Sequence, residues 1–240
     1  MGERAIHERD IWSELSSRAV QPTEPRVPGW AARDKVLSLT IPSSRTGFFG
    51  KIPSRADFVQ SGLSHAVVDA WYAWMSHVLA GSRSEMGETW LPAWLEAPVW
   101  RFALPAGMCG PDAMLGLWMP SVDRVGRYFP LMVTTIRADD DPRLLASAGS
   151  AFLQAAEDAG RVALADDIDP EALALRLPMA VEPGGEIGPF GVEAKRDDGV
   201  WWTDGSPRVP AQIVALGRMP DVKRFVTMLD AGDAMPEEAG

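Results

Sequence analysis

Three apolar segments follow one another between residues 99 and 136 with no helical segment between them, and this limits the fold more than any other feature. Val99 to Leu104 alternates, with Trp100, Phe102 and Leu104 on one side. Met114 to Met119 is a continuous apolar run, as a strand buried on both faces requires. Phe129 to Ile136 turns β-branched in its second half, and Pro130 can sit only near that strand's beginning or on an edge. Parallel neighbours need a long, usually helical crossover, so short links of this kind favour antiparallel pairing. The expected fold is α/β of the α+β type. It is a largely antiparallel central sheet flanked by helices, in a single compact domain with an N-terminal extension, and not a doubly wound nucleotide fold.

The flanking helices have their own signals. Ser64 stands where an N-cap belongs, ahead of Val67, Trp71, Trp74 and Val78 at helical spacing, which should face the core. His65, Asp69, Tyr72 and Ser76 fall on a wetter face. Gly81 is expected to end this helix, and Ser82-Arg83-Ser84-Glu85 has the capping-box pattern for a short second helix to about Leu91. Asp141-Pro142 should open an amphipathic helix carrying Leu144, Leu145, Ala148, Phe152, Ala155 and Ala159, stopped at Gly160. Asp169-Pro170 repeats the start signal for a helix through Leu177. A Gly-rich loop over 183–199 precedes a short strand at Val200-Trp201-Trp202 and a turn at Asp204-Gly205. A last helix opens at Pro220 with Val222, Phe225, Val226 and Leu229.

The folded part, expected over 46–230, begins with a strand at Gly47–Ile52, ended by Pro53. Residues 1–45 read as a flexible N-terminal extension, interrupted by Pro22, Pro25 and Pro28, with a short helix expected from Ile6 to Leu15. Residues 231–240 read as an acidic tail. The formal net charge of −10 disfavours nucleic acid or an anionic membrane surface as a partner. Cys109 is the single cysteine, so no intrachain disulfide forms, and a reducing compartment fits. Neither a signal peptide nor an apolar run of spanning length is visible, and the cytoplasm is the expected location. Ten tryptophans against two tyrosines is unusual, and core packing is the ordinary use of such residues.

The usual reaction centres are missing from the sequence. No Gly-x-Ser-x-Gly elbow occurs. Cys109 has no histidine in a recognisable arrangement with it. His65 and His77, twelve positions apart, would be rotated by about 120° on one helix and would not converge on a metal. Asp139, Asp140 and Asp141 lack the alternation of a calcium loop. A phosphate loop needs glycine five positions before Gly50 and Ser or Thr after Lys51, but Arg45 and Ile52 stand there. Neither a cofactor nor a metal is indicated.

What remains is Met119-Pro120-Ser121-Val122-Asp123-Arg124-Val125-Gly126-Arg127-Tyr128-Phe129-Pro130, which joins two strand candidates. Asp123 can accept hydrogen bonds from nearby backbone N–H groups and an arginine, locking the turn, while Gly126 supplies a positive φ. Alternatively, Arg124 and Arg127 present a fork for an anion such as a phosphorylated partner. The two roles are compatible. A small hydrolase using Ser121, Asp123, Arg124 and Arg127 is the rival from another class.

The same residues carry a family likeness. Thr46-Gly47-Phe48-Phe49-Gly50-Lys51-Ile52-Pro53-Ser54-Arg55-Ala56-Asp57-Phe58-Val59 resembles the opening block of the TagF (ImpM) family, with Ala56 where the family often has glycine. Ala97-Pro98-Val99-Trp100-Arg101-Phe102 is similar to its second block. Met119–Pro130 resembles its most specific one, and Trp201-Trp202-Thr203-Asp204-Gly205 a fourth. The resemblance implies a non-enzymatic post-translational repressor of bacterial type VI secretion. It would act in the cytoplasm through the forkhead-associated scaffold protein Fha, without nucleic acid or direct membrane insertion. Together, the matched blocks and the chemistry of the turn make Lys51, Asp57, Trp100, Arg101, Ser121, Asp123, Arg124, Arg127, Trp201 and Trp202 the candidate interaction or motif residues.

Overall fold

The computed structural model describes residues 44–137, 150–165, 168–178 and 194–232. The expected helix over 6–15, the Asp141-Pro142 helix start, most of the Gly-rich loop and the tail from residue 233 lie outside them.

The three consecutive apolar segments become β3 (Trp100–Leu104), β4 (Ala113–Met119) and β5 (Leu131–Arg137). They pair antiparallel in chain order, with Phe102 opposite Gly116 and Leu117 opposite Val133. All seven residues of β4 are buried, as its unbroken apolar run requires. Four more strands extend the sheet: β1 (Ser44–Gly50), β2 (Val59–Ser61), β6 (Gly199–Thr203) and β7 (Gln212–Leu216). The order is β2-β1-β5-β4-β3-β6-β7, and each neighbouring pair is antiparallel. β1 begins at Ser44, three residues ahead of the expected strand start at Gly47, and ends at Gly50, two residues short of the expected Ile52. Sequence reasoning missed β7, whose five residues are all half-buried and so lack a contrast between faces.

Five helices accompany the sheet among the described residues: α1 (His65–Met86), α2 (Trp90–Glu96), α3 (Ser150–Ala165), α4 (Pro170–Arg176) and α5 (Val222–Leu229). The resulting α+β domain has the antiparallel sheet between two helical layers. On one face, Phe48, Leu115, Leu117, Leu131 and Val133 pack with Phe152, Ala156 and Ala159 of α3 and Leu173 of α4. The other face is aromatic. Phe102 and Trp201 meet Trp71 and Trp74 of α1, and Trp118 stacks against Trp94 of α2 and Phe225 of α5. Strand alternation turns Trp202 to the opposite face, where it is half-buried against the α3 side.

Several expected helix ends are corrected. Gly81 does not end α1, which continues to Met86. A Cβ on Gly81 would lie 2.5 Å from Cγ2 of Val222, so the missing side chain allows α5 to approach. Ser82 caps nothing. Its buried hydroxyl donates to the carbonyl of Leu79 (3.1 Å) and accepts from Nε1 of Trp90 (2.9 Å). Gly160 likewise lies inside α3, where a Cβ would come within 2.6 Å of Cε of Met119. Ser64 is the N-cap of α1 by position, but its side chain makes no capping hydrogen bond. α5 is capped by Asp221, whose Oδ1 accepts from the backbone N–H of Arg224 (2.9 Å), one residue after the expected Pro220 start.

Candidate functional site

Beyond β4, the chain reverses at Ser121–Phe129 to enter β5. Phe129 N–H donates to the carbonyl of Ser121 (3.3 Å), and Asp123 N–H donates to that of Arg127 (3.0 Å). Gly126 has φ +84°, a left-handed conformation that glycine adopts without a side-chain penalty, and its N–H closes the tip on the Asp123 carbonyl (3.0 Å).

Asp123 holds this turn from inside. Its Oδ1 accepts from the backbone N–H groups of Val125 (3.0 Å) and Arg127 (2.8 Å). Its Oδ2 accepts from Nε of Arg127 (2.7 Å) and from Nζ of Lys51, which follows β1. The Asp123 and Lys51 side chains are 0% and 5% exposed. Burial alone would raise the Asp123 pKa, but the hydrogen bonds from Lys51 and Arg127 outweigh it and bring the carboxyl down to about 2. The Lys51 ammonium also lies 4.8 Å from the ring centroid of Phe58, so a second electron-rich group replaces lost water.

Further bonds fuse the turn to the segment after β1. Ser121 Oγ donates to the Lys51 carbonyl (2.7 Å), Arg124 N–H donates to the Arg55 carbonyl (2.9 Å), and Arg127 Nη2 donates to the Ala56 carbonyl. Ser121 therefore spends its proton on a backbone carbonyl, and Asp123 spends its lone pairs on four donors. Neither is arranged as an activated nucleophile or a general base. Asp57 is exposed and bonds its carboxylate to the following N–H of Phe58 (2.8 Å), a local turn contact. Arg127 turns its guanidinium back onto Asp123 and Ala56. Arg124 is exposed, with no side-chain hydrogen bond or ion pair among the described residues, and Val125 beside it is 61% exposed.

The remaining candidate residues lie elsewhere. Arg101 on β3 spans two carboxylates, Glu157 of α3 (2.7 Å) and Asp204 beyond β6 (2.8 Å), while Arg161 holds the other oxygen of Glu157 (2.6 Å). Trp100 and Trp201 are core residues with 0% exposure, and Trp100 Nε1 donates to the Met228 carbonyl (3.0 Å). Thus Lys51, Ser121, Asp123, Arg124 and Arg127 converge, whereas Trp100, Arg101, Trp201 and Trp202 serve the sheet and its helices.

An apolar groove of about 140 Å³ adjoins the turn. Pro53, Trp94, Leu95, Pro120, Tyr128 and Leu164 line it, and Leu95 is 65% exposed. Sequence reading missed this groove because its walls come from four separate stretches of chain. Its one local signal was Leu91 and Leu95, a helical step apart on the outer side of α2. Among the described residues, no group of three or more His, Cys, Asp or Glu is placed to hold a metal, and no helix is long and apolar enough to cross a membrane.

The family described as TagF N-terminal domain, type VI secretion system-associated, matches residues 47–179. The crystal structure of PA0076 from Pseudomonas aeruginosa PAO1 is similar, with a TM-score of 0.69 and 31% sequence identity, over 81% of this chain and 99% of that one. No curated protein matches significantly. The family match contains every residue of the Lys51–Asp123–Arg127 cluster.

Proposed function

Because this chain belongs to the TagF N-terminal domain family associated with type VI secretion, we propose that it is a non-enzymatic, post-translational repressor of that system, working in the cytoplasm by binding a component of the apparatus. The partner is the forkhead-associated scaffold Fha. The observation that carries this reading is the braced turn, whose base is closed by the buried Lys51–Asp123 pair while Arg124 and Val125 are exposed at its tip. A turn held this rigidly loses little entropy when a partner covers it, which favours binding. The groove beside it, lined by Trp94, Leu95 and Tyr128, offers the apolar and aromatic contact typical of an interface centre.

The test is capture of purified Fha by the full chain, compared with Arg124→Ala and Val125→Asp variants, alongside secretion measured with and without the gene. A complex weakened by both substitutions, together with raised secretion on deletion, is expected. Failure to form any complex, with secretion unchanged, would overturn the reading. A second reading, recognition of a phosphorylated segment of the partner, is favoured by the exposed guanidinium of Arg124, which has no side-chain partner among the described residues. Calorimetry with phosphothreonine and threonine peptides separates it from phosphate-independent docking.

A further inference from the structure

We propose that β7 is a docking edge that receives an extended acidic segment of a partner protein as an added strand, with a carboxylate of that segment held by Arg218 and Arg224. This edge is separate from the turn described above, since β4, β3 and β6 lie between β7 and β5 in the sheet.

The backbone supplies the first part of the argument. β7 has β6 on one side, and no strand pairs with its other side among the described residues. Outward N–H and C=O groups on such an edge need a partner or water, and sheets guard exposed edges with short strands, charges, proline or bulges. The opposite edge follows that rule, because β2 has three residues and two of them are Gln60 and Ser61. β7 does not. Gln212-Ile213-Val214-Ala215-Leu216 contains no charge and no proline, and its four consecutive apolar residues are all half-exposed. An uncharged, apolar edge of this kind is suited to strand addition, in which main-chain bonds give affinity and flanking pockets give specificity.

The side chains supply the occupant's chemistry. A cleft of about 470 Å³ lies along β7, bounded by Ile213, Leu216, Arg218, Asp221 and Arg224. Nε of Arg224 is buried there and finds no hydrogen-bond partner among the described residues. Arg218 is 81% exposed and makes a single long contact to Asp221 (3.4 Å), whose other oxygen already caps α5. The cleft is thus lined by two guanidinium groups and one carboxylate, and that carboxylate meets only Arg218 by side chain while capping α5 at the Arg224 N–H, which leaves the cleft locally positive on a chain of net charge −10. An incoming carboxylate can pair with the exposed Arg218 and with Arg224 where it lines the cleft, through charge-assisted hydrogen bonds. A second copy would not, because a β7–β7 pairing places no acidic side chain on the edge. A neighbouring cleft of about 410 Å³ shares Arg218 and Met219 and reaches Met108, but Asp197 lines it, so the segment's carboxylate belongs at Arg218 and Arg224 and not beyond the strand's end.

The experiment follows amide hydrogen exchange by NMR in the full chain. The probes are short peptides of alternating Thr and Val, one pool carrying a single Glu at varied positions and a matched pool carrying Lys. Slowed exchange at alternate β7 amides is expected with the Glu pool, at affinity about tenfold above the Lys pool. Arg224→Gln should abolish that preference. Arg218→Gln, on an exposed side chain that cannot threaten the fold, should reduce it severalfold. Unchanged β7 exchange, or equal binding of the two pools, overturns the proposal. So does a concentration-dependent dimer whose β7 amides are already protected without peptide, which would make a second copy the occupant. None of these readouts depends on Fha.

Discussion

Lys51 and Asp123, 72 residues apart in the chain, form a buried ion pair that joins the segment leaving β1 to the turn leaving β4. Removing one partner leaves the other charge buried without its counterion, which typically costs about 3–5 kcal/mol. Lys51→Met and Asp123→Asn should each destabilise the protein on that scale in urea unfolding. The double variant should cost clearly less than the sum, because neither orphaned charge remains. Strict additivity would mean that the pair is not coupled.

The same carboxyl makes stability fall in acid. Its folded pKa is about 2 against an ordinary 3.8, so between these values the unfolded chain binds the proton more strongly. Stability must therefore rise with pH across this window. The contribution is complete above the unfolded pKa and is lost as pH drops through the folded one. Its size is about 2 kcal/mol from the shift alone. Urea midpoints measured from pH 5 to pH 2 should fall, and the fall should be shallower in Asp123→Asn.

How much of this was legible in the sequence depends on whether the signal was local. The unbroken run at Met114–Met119 announced a strand covered on both faces because burial of every residue needs an apolar side chain at every position. The short links on either side announced antiparallel neighbours. Asp123 could be read as the turn's acceptor because Val125 and Arg127 are within four residues of it. Its partner Lys51 was singled out by family likeness alone, since nothing local to either residue encodes a pairing across the sheet. Gly81 and Gly160 misled for the reverse reason. Glycine near a helix end usually signals a stop, but here each glycine makes room for a neighbouring element, Val222 in one case and Met119 in the other.

Arg124 and Arg127 look alike in sequence and should separate under mutation. Arg124 makes no side-chain bond among the described residues, so Arg124→Ala should change stability by no more than about 0.5 kcal/mol. Arg127 bonds a buried carboxylate, but its own side chain is 57% exposed, and solvent discounts that bond to about 1 kcal/mol. Arg127→Lys should not restore the loss, because an ammonium cannot reach Asp123 and the Ala56 carbonyl with the geometry of a guanidinium. Thermal unfolding of Arg124→Ala, Arg127→Ala and Arg127→Lys checks the ranking.

Cys109 is buried, and burial pushes its thiol pKa up to about 12. Almost no thiolate exists at neutral pH, and the thiolate is the reactive species. A disulfide-exchange reagent should label the native protein at the rate of unfolding and the denatured protein at once. Rapid native labelling would mean that the loop carrying Met108 and Cys109 opens independently of the sheet.

Gly81 gives a prediction in which local propensity and packing have opposite signs. In an isolated helix, Gly→Ala gains about 1 kcal/mol. Here the new methyl would lie 2.5 Å from Cγ2 and 2.7 Å from Cγ1 of Val222, well inside contact distance. Overpacking of that kind costs about 1–3 kcal/mol, so Gly81→Ala should destabilise despite its better propensity. Val222→Ala removes both methyl groups, leaving the Cβ of residue 222 at 3.2 Å, and should make Gly81→Ala clearly less harmful in that background. A double-mutant cycle in urea reads this directly. A stabilising Gly81→Ala in the wild-type background would show that α5 can move away from α1 at little cost, and that Gly81 is not the residue setting their separation.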